Sequence, residues 1–237
     1  MARRNWIVIG DPAAETRATQ ILALALRKCA ERASPHVRQR PRSIPIPPLL
    51  LAAAKSVTLA SLEAPNPLLE ILALATRNTF ELYLRLKHIL ASDANAQSWR
   101  NEAVTDHLEI YEGILELDGP ESAKRTIAAE CEAIRQDAVG RGLRPADHLE
   151  RVGSLAHAAG LDREYKAFYK FYSKLVHPSS FLVNRPTAAT TPAFRSTLIF
   201  NLQVYGHRVL DEGAELLEAD PETLLQDAEQ QLDGLRT

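Results

Sequence analysis

Between its prolines and glycines this chain repeats apolar residues every three to four positions, and almost nowhere alternates them at the two-residue period of a half-buried strand. Segments of that kind bury one face of a helix against other helices, so the spacing restricts the fold class before any motif is considered. Asp11-Pro12 supplies a cap and first turn for a helix over Ala13 to Arg32. The stretch 34–48 holds five prolines and four arginines or histidines and reads as a loop. Helices are predicted over 49–62, 68–91, 95–117, 120–139 and 145–159, the last closed by Gly160. Asp162 opens a further helix that Pro178 stops, and 178–192 is a polar loop. Long and short helices over 193–219 and 221–235, the second capped by Asp220, complete the series. Trp6 to Ile9 has the composition of a strand but nothing evident to pair with. The expectation is an all-α protein with a single antiparallel bundle of about seven to nine helices over residues 48–237. Residues 1–47, an N-terminal helix and proline-rich loop, are expected to pack on that bundle or on a partner subunit.

Bulk properties exclude several classes. Of the 237 residues, 46% are hydrophobic and 24% charged, ordinary for a globular protein. The net charge of −2 gives no global basic field to coat nucleic acid, although it leaves room for a local basic groove. Cys29 and Cys131 have no paired spacing, so neither a disulfide framework nor a zinc site is implied. There is no phosphate-binding glycine loop, no His-Glu-x-x-His and no Glu-x-x-His pair, so neither a cofactor nor a metal is expected. The longest apolar runs, 21–26 and 49–54, fall far short of the roughly 20 residues needed to cross a bilayer. No signal-peptide pattern follows Met1-Ala-Arg-Arg, and the expected location is the cytoplasm, away from membranes.

The most unusual helix is Tyr165 to His177, which carries five aromatic residues, three lysines, one serine and one histidine. At 100° per residue Phe168, Phe171 and Leu175 share one side, while Tyr165, Tyr169, Ser173 and His177 step along at spacings of four. Lys166, Lys170 and Lys174 form a third stripe. An amphipathic helix needs only one apolar face, so a second ordered face of hydrogen-bonding groups marks a candidate site. Histidine serves as acid or base near neutral pH, and lysines hold phosphate. The plainer reading makes His177 a helix-terminal residue that favours the dipole, and the tyrosines core or interface residues. A Ser-His-acid hydrolase is a poor fit, because no Gly-x-Ser-x-Gly is present. On the predicted helix 68–91, Arg77, Glu81 and His88 fall within about 40° of one another, with Glu70 on the same face. That stripe reads either as an i, i+4 ion pair between Arg77 and Glu81 or as part of a polar site shared with Ser173 and His177.

Arg77-x-x-x-Glu81 on one helix, then Tyr169-x-x-x-Ser173-x-x-x-His177-Pro178 on a later one, resembles a bacterial all-helical family known as domain of unknown function 5677. The resemblance runs over roughly residues 50–217. That family in turn resembles HEPN domains, helical proteins of toxin–antitoxin and antiphage-defence systems, many of them metal-independent ribonucleases that act as dimers. The resemblance implies a homodimer, RNA as substrate, and a protein partner such as an antitoxin. It implies catalytic roles for Arg77, Glu81, Ser173 and His177, with Tyr169, Lys170 and Lys174 holding substrate. The HEPN signature, an arginine and a histidine with four to six residues between them, has no arginine at that spacing ahead of His177, where Lys170 is the only basic residue. Its literal matches are Arg100 with His107, Arg141 with His148 and Arg151 with His157. The alternative is a non-catalytic binding or regulatory module in which the same polar cluster is a structural network or a partner interface.

Overall fold

Helix α3 (Leu69–Ala91) is the axis on which the other elements assemble. The structure, a computed structural model, describes residues 5–32, 40–62, 68–185, 187 and 191–235. The other helices are α1 (Pro12–Arg32), α2 (Ile46–Leu62), α4 (Asp93–Leu115), α5 (Glu121–Gly140), α6 (Val152–Ala158), α7 (residues 162–176), α8 (Ser180–Asn184), α9 (Pro192–Leu216) and α10 (Pro221–Gly234). The architecture is all-α, and the described residues form ten packed helices with no strand. The tenth, α8, lies inside the predicted 178–192 loop.

Helix α3 packs against α2, α4, α6, α7 and α9. Leu72, Phe80, Leu84, Leu86 and Ile89 are therefore fully buried around most of its circumference. Each such side chain contributes about 1.5–3 kcal/mol of burial. Two buried threonines remain satisfied: Thr76 and Thr79 each donate to the carbonyl four residues back at 2.8 Å. Helix α1 lies across α2, α9 and α10, so the N-terminal segment docks on the bundle, with Leu22, Ala25, Leu26 and Cys29 fully buried. Burial pushes the Cys29 thiol up to about 12, which leaves it protonated and unreactive at neutral pH. Close approach to α9 rests on glycine: a Cβ at Gly206 would sit 2.7 Å from Leu22 Cδ2, and one at Gly213 would sit 2.9 Å from Leu50 Cδ2.

The strand-like Trp6 to Ile9 finds a partner in a side chain. Val8 donates to Gln203 Oε1 at 2.8 Å and accepts from Gln203 Nε2 at 3.0 Å, so one buried amide replaces a neighbouring strand. Gly10 follows with φ +95°, and its N–H donates to Glu15 Oε1. Glu15 is buried and its second oxygen is held by Arg195.

The predicted cap at Asp220 holds, its side chain accepting from Thr223 N–H, and Ser92 and Thr191 cap α4 and α9 in the same way, accepting from Asn95 and Phe194. The predicted helix 145–159 is shorter, Val152–Ala158. Side chains of α4 take up the backbone ahead of it instead: Ala146 N–H donates to Thr105 Oγ1 at 2.7 Å, and Arg144 N–H to Asn101 Oδ1 at 3.3 Å. Arg85 Nη2 donates to the Glu150 carbonyl at 2.8 Å. Arg85 also pairs with the buried Glu102 at 3.0 Å and lies 4.7 Å from the centre of the Trp99 ring.

His207 lies beneath the N-terminal segment in a cleft with Trp6, Asp211 and Glu222. Burial pulls its ring down to about 4, against which Glu222 works in the opposite direction. The unfolded ring takes up a proton below about 6.5 and the folded ring does not, so stability contributed by neutral His207 falls as pH drops from 6.5 towards 4. We expect His207→Gln to flatten the loss of stability over that window, a difference on the order of 3 kcal/mol between the two proteins at pH 4. Urea denaturation of both proteins at pH 7 and pH 4.5 measures it, and parallel pH profiles would refute it.

Candidate functional site

The inward turns of α3 are given over to Thr76, Thr79 and Phe80, which leaves Arg77 and Glu81 together on the side where α7 crosses. Their side chains keep 22% and 30% of their exposure, enough to reach solvent but not to move freely in it. Three side chains converge on the Arg77 guanidinium. Nε donates to Glu81 Oε1 at 2.8 Å, and Nη2 donates to the Tyr169 hydroxyl at 2.7 Å. Nη1 stands 3.2 Å from His177 Nε2. A guanidinium has no lone pair to offer, so His177 accepts with Nε2 and keeps its proton on Nδ1. This contact is one that a protonated imidazole cannot make.

Electrostatics follow from the same contacts. Burial works to lower the Arg77 pKa, but the hydrogen bond and charge of Glu81, with Tyr169, outweigh it and hold the group above its usual value. Tyr169 is pushed above the ordinary phenol range by burial first and by Glu81 second, with Arg77 opposing.

Helix α7 delivers Tyr169 and His177 through two local features. Residues Tyr165–Tyr169 form a π-turn, between the α-helical turns Asp162–Glu164 and Lys170–Val176. The wider turn stacks Tyr165 on Tyr169 with ring centres 4.8 Å apart, and turns Tyr172 fully into the core beside Phe80. At the other end Pro178 forbids helical backbone at the residue before it. His177 accordingly turns extended, with φ −97° and ψ 152°, and its ring is left exposed against Arg77. Ser179, which the sequence reading did not single out, fixes this exit. Its Oγ donates to the Lys174 carbonyl at 2.7 Å and accepts from Leu182 N–H at 3.2 Å, capping α8. A serine just after proline and before a helix-length run is the signal for such a cap.

The remaining candidate residues distribute unevenly. Ser173 is half-buried and meets His177 through the backbone, its carbonyl accepting the His177 N–H at 3.2 Å. Among the described residues Ser173 Oγ forms no hydrogen bond to the ring. Lys170 and Lys174 are exposed on the helix that carries Tyr169 and His177. His88 does not join the cluster. It sits at the end of α3, where Asn95 Nδ2 donates to its carbonyl at 2.9 Å, and it lines a cleft of about 320 Å³ with Leu155 and Ala158. Burial lowers its pKa. Glu70 is exposed in the first turn of α3, between the buried Leu69 and Leu72. The literal arginine–histidine spacings lead elsewhere: Arg100 donates to Gln97, Arg141 pairs with Asp137, His148 with Glu150, and His157 with Asp162.

A second polar cluster lies further along α3. Tyr83 donates to Glu212 Oε1 at 3.1 Å, Lys87 pairs with the same oxygen at 3.3 Å, and Arg208 lies over the Tyr83 and Tyr205 rings. Burial, then Glu212, pushes Tyr83 up to about 12. Its sequence signals are the i, i+4 pairs Tyr83/Lys87 and Arg208/Glu212, each unremarkable alone. Among the described residues, clefts of about 160 to 610 Å³ are lined by residues outside the Arg77 cluster. Among the described residues, no group of three or more histidine, cysteine, aspartate or glutamate side chains is placed to hold a metal ion. No described helix is long and apolar enough to cross a membrane.

No family model matches the chain, and no curated protein or solved structure matches it either.

The Tyr169 hydroxyl adds little packing of its own, so Tyr169→Phe is expected to keep the stack on Tyr165 and lose the hydroxyl's interactions with Arg77 and Glu81. The expected cost is about 1 kcal/mol, read from the urea midpoint with an unchanged slope. A loss of 3 kcal/mol or more would mean that the hydroxyl anchors α7 as a whole.

Proposed function

We propose that this chain is an HEPN-like, metal-independent endoribonuclease whose reacting groups are His177 and Arg77. The observation that supports the reading best is the 3.2 Å contact between Arg77 Nη1 and His177 Nε2, made at an exposed ring on the helix that carries Lys170 and Lys174. The motif resemblance of Arg77, Glu81, Tyr169, Ser173 and His177 points the same way.

In this reading the phosphodiester replaces His177 as the partner of Arg77 Nη1. Guanidinium binds a phosphate oxygen with matched geometry and carries its charge at every physiological pH. His177 Nε2, freed of its donor, then takes the proton of the neighbouring 2′-hydroxyl. The 2′-oxygen forms a bond to phosphorus, the bond to the 5′-oxygen breaks, and solvent returns a proton to the leaving 5′-oxygen. The products are a 2′,3′-cyclic phosphate and a 5′-hydroxyl end. Arg77 stabilises the charge that builds on the phosphoryl oxygens, Glu81 and Tyr169 hold Arg77 in register, and Lys170 and Lys174 bind flanking phosphates. Ser173 has the weakest claim of the residues in the motif, since only its backbone reaches His177.

A specific observation favours a second reading. Arg77 is already engaged through Nε, Nη1 and Nη2, and Glu81 balances its charge, as in a network that ties two bundle helices together or underlies a partner interface. Total RNA incubated with the protein in EDTA separates the two. Cleavage lost in His177→Ala and in Arg77→Ala, with both variants melting within a few degrees of the wild type, is the expected outcome. An inactive wild type, with both variants destabilised, establishes the structural network instead.

A further inference from the structure

The hairpin of α4 and α5 stands apart from the main core and has its own small one: Val104, Leu108, Cys131 and Ala138 are buried between the two helices, with Tyr111, Leu115, Ile127 and Ile134 partly so. The α4 side of that seam steps 104, 108, 111, 115, the spacing of a two-helix heptad contact. Helix α4 carries the same spacing a second time. Ala103, His107, Ile110 and Ile114, continued by Leu117 just beyond the helix, step in fours and threes along a neighbouring face that no described helix covers. Ile110 is 62% exposed, Ile114 43% and Leu117 64%. Scattered exposed leucines are ordinary, but an apolar seam in heptad register is an interaction surface.

Charge identifies the kind of partner. Residues 103–118 hold five carboxylates and no lysine or arginine. Asp106 lies about 60° round α4 from the middle of the exposed seam and rims it on one side, with Glu109 and Glu116 more than 100° away. On α5, Arg135 pairs with Glu112 on the far side of the hairpin, which sets Glu130, about 140° round the helix, on the near side. Asp106 and Glu130, the carboxylates that border the seam on its two sides, are exposed, and Asp137 beside Glu130 is paired with Arg141. RNA and anionic lipid are repelled by such a rim, and a second copy docked on the same face would set acid against acid. We propose that this seam docks an amphipathic helix of a protein partner, with apolar residues in heptad register and lysine or arginine on its flanks. The face lies on the hairpin and is independent of the Arg77 cluster, so it holds whichever reading of that cluster is right.

A fluorescein-labelled peptide of three leucine–lysine heptads, titrated with the full chain and followed by anisotropy, is the probe. Saturable binding is expected, weakened at least tenfold by Ile110→Asp combined with Ile114→Asp. Asp106→Asn combined with Glu130→Gln should weaken binding several-fold and reduce its salt dependence, and this pair leaves every apolar contact in place should the first pair perturb folding. A leucine–glutamate peptide of the same length should not bind. Absence of binding, equal binding to both peptides, or affinity unchanged in both variant pairs would overturn the proposal. It is equally overturned if sedimentation shows a wild-type dimer that Ile110→Asp dissociates, since a second copy then occupies the face.

Discussion

Burial of α3 on most of its circumference is the constraint from which the rest of the molecule follows. A helix packed by five others has almost no surface on which to keep polar groups, and transfer of unpaired charge into such a position costs several kcal/mol. Most polar residues on α3 are therefore confined to the gaps between its neighbours and matched there, His88 Nε2 being buried without a partner. Thr76 and Thr79 bond back to their own helix, Arg85 meets Glu102, and Arg77 meets Glu81, Tyr169 and His177. The cluster that looks most like a site is thus also the place where α3 and α7 agree on their relative position. A residue with both duties is expected to be expensive to replace even when only one of them is chemical.

Long-range polar pairing does the same work at the opposite end. Gln203 stands in for a strand against Val8, and Glu15 links Gly10 to Arg195, so the extended residues before α1 are fixed by side chains of α9 rather than by apolar contact alone. Trp6 adds its indole N–H to Glu222 at 3.2 Å. The seal over His207 is made of these bonds, which is why its pKa responds to burial so strongly.

Helix spacing was legible along most of the chain because burial of one face imposes it directly, and Pro12, Pro178 and Asp220 mark ends by local geometry alone. Arg77–Glu81 was legible for the same reason, one turn apart on one helix. What was not legible required knowledge of a partner distant in sequence. Asn101 and Thr105 captured backbone groups that would otherwise have extended α6, and no local signal announces it. Gln203 pairs with a segment 195 residues away. His88 shares a helical wheel face with Arg77, yet α4 and α6 close around it while α7 crosses at Arg77, a difference decided by packing and not by spacing. The meeting of Arg77 with His177 depends on the π-turn of α7, which shifts every later side chain relative to a regular helix.

The separate core of the α4–α5 hairpin has a thermodynamic consequence. Four buried residues hold it together, and its ties to the main body are few: the Arg85–Glu102 pair, Trp99 beneath it, and the bonds from Asn101 and Thr105 to the following loop. Free energies of opening scale with such contacts, so the hairpin forms a cooperative unit of its own, weaker than the body that bears it. We expect it to open and reclose while α1, α2, α3, α7 and α9 stay folded. Amide exchange in α4 and α5 then proceeds by a cheaper route than exchange in α3, and a single transition temperature for this chain is an average over two populations rather than a property of one.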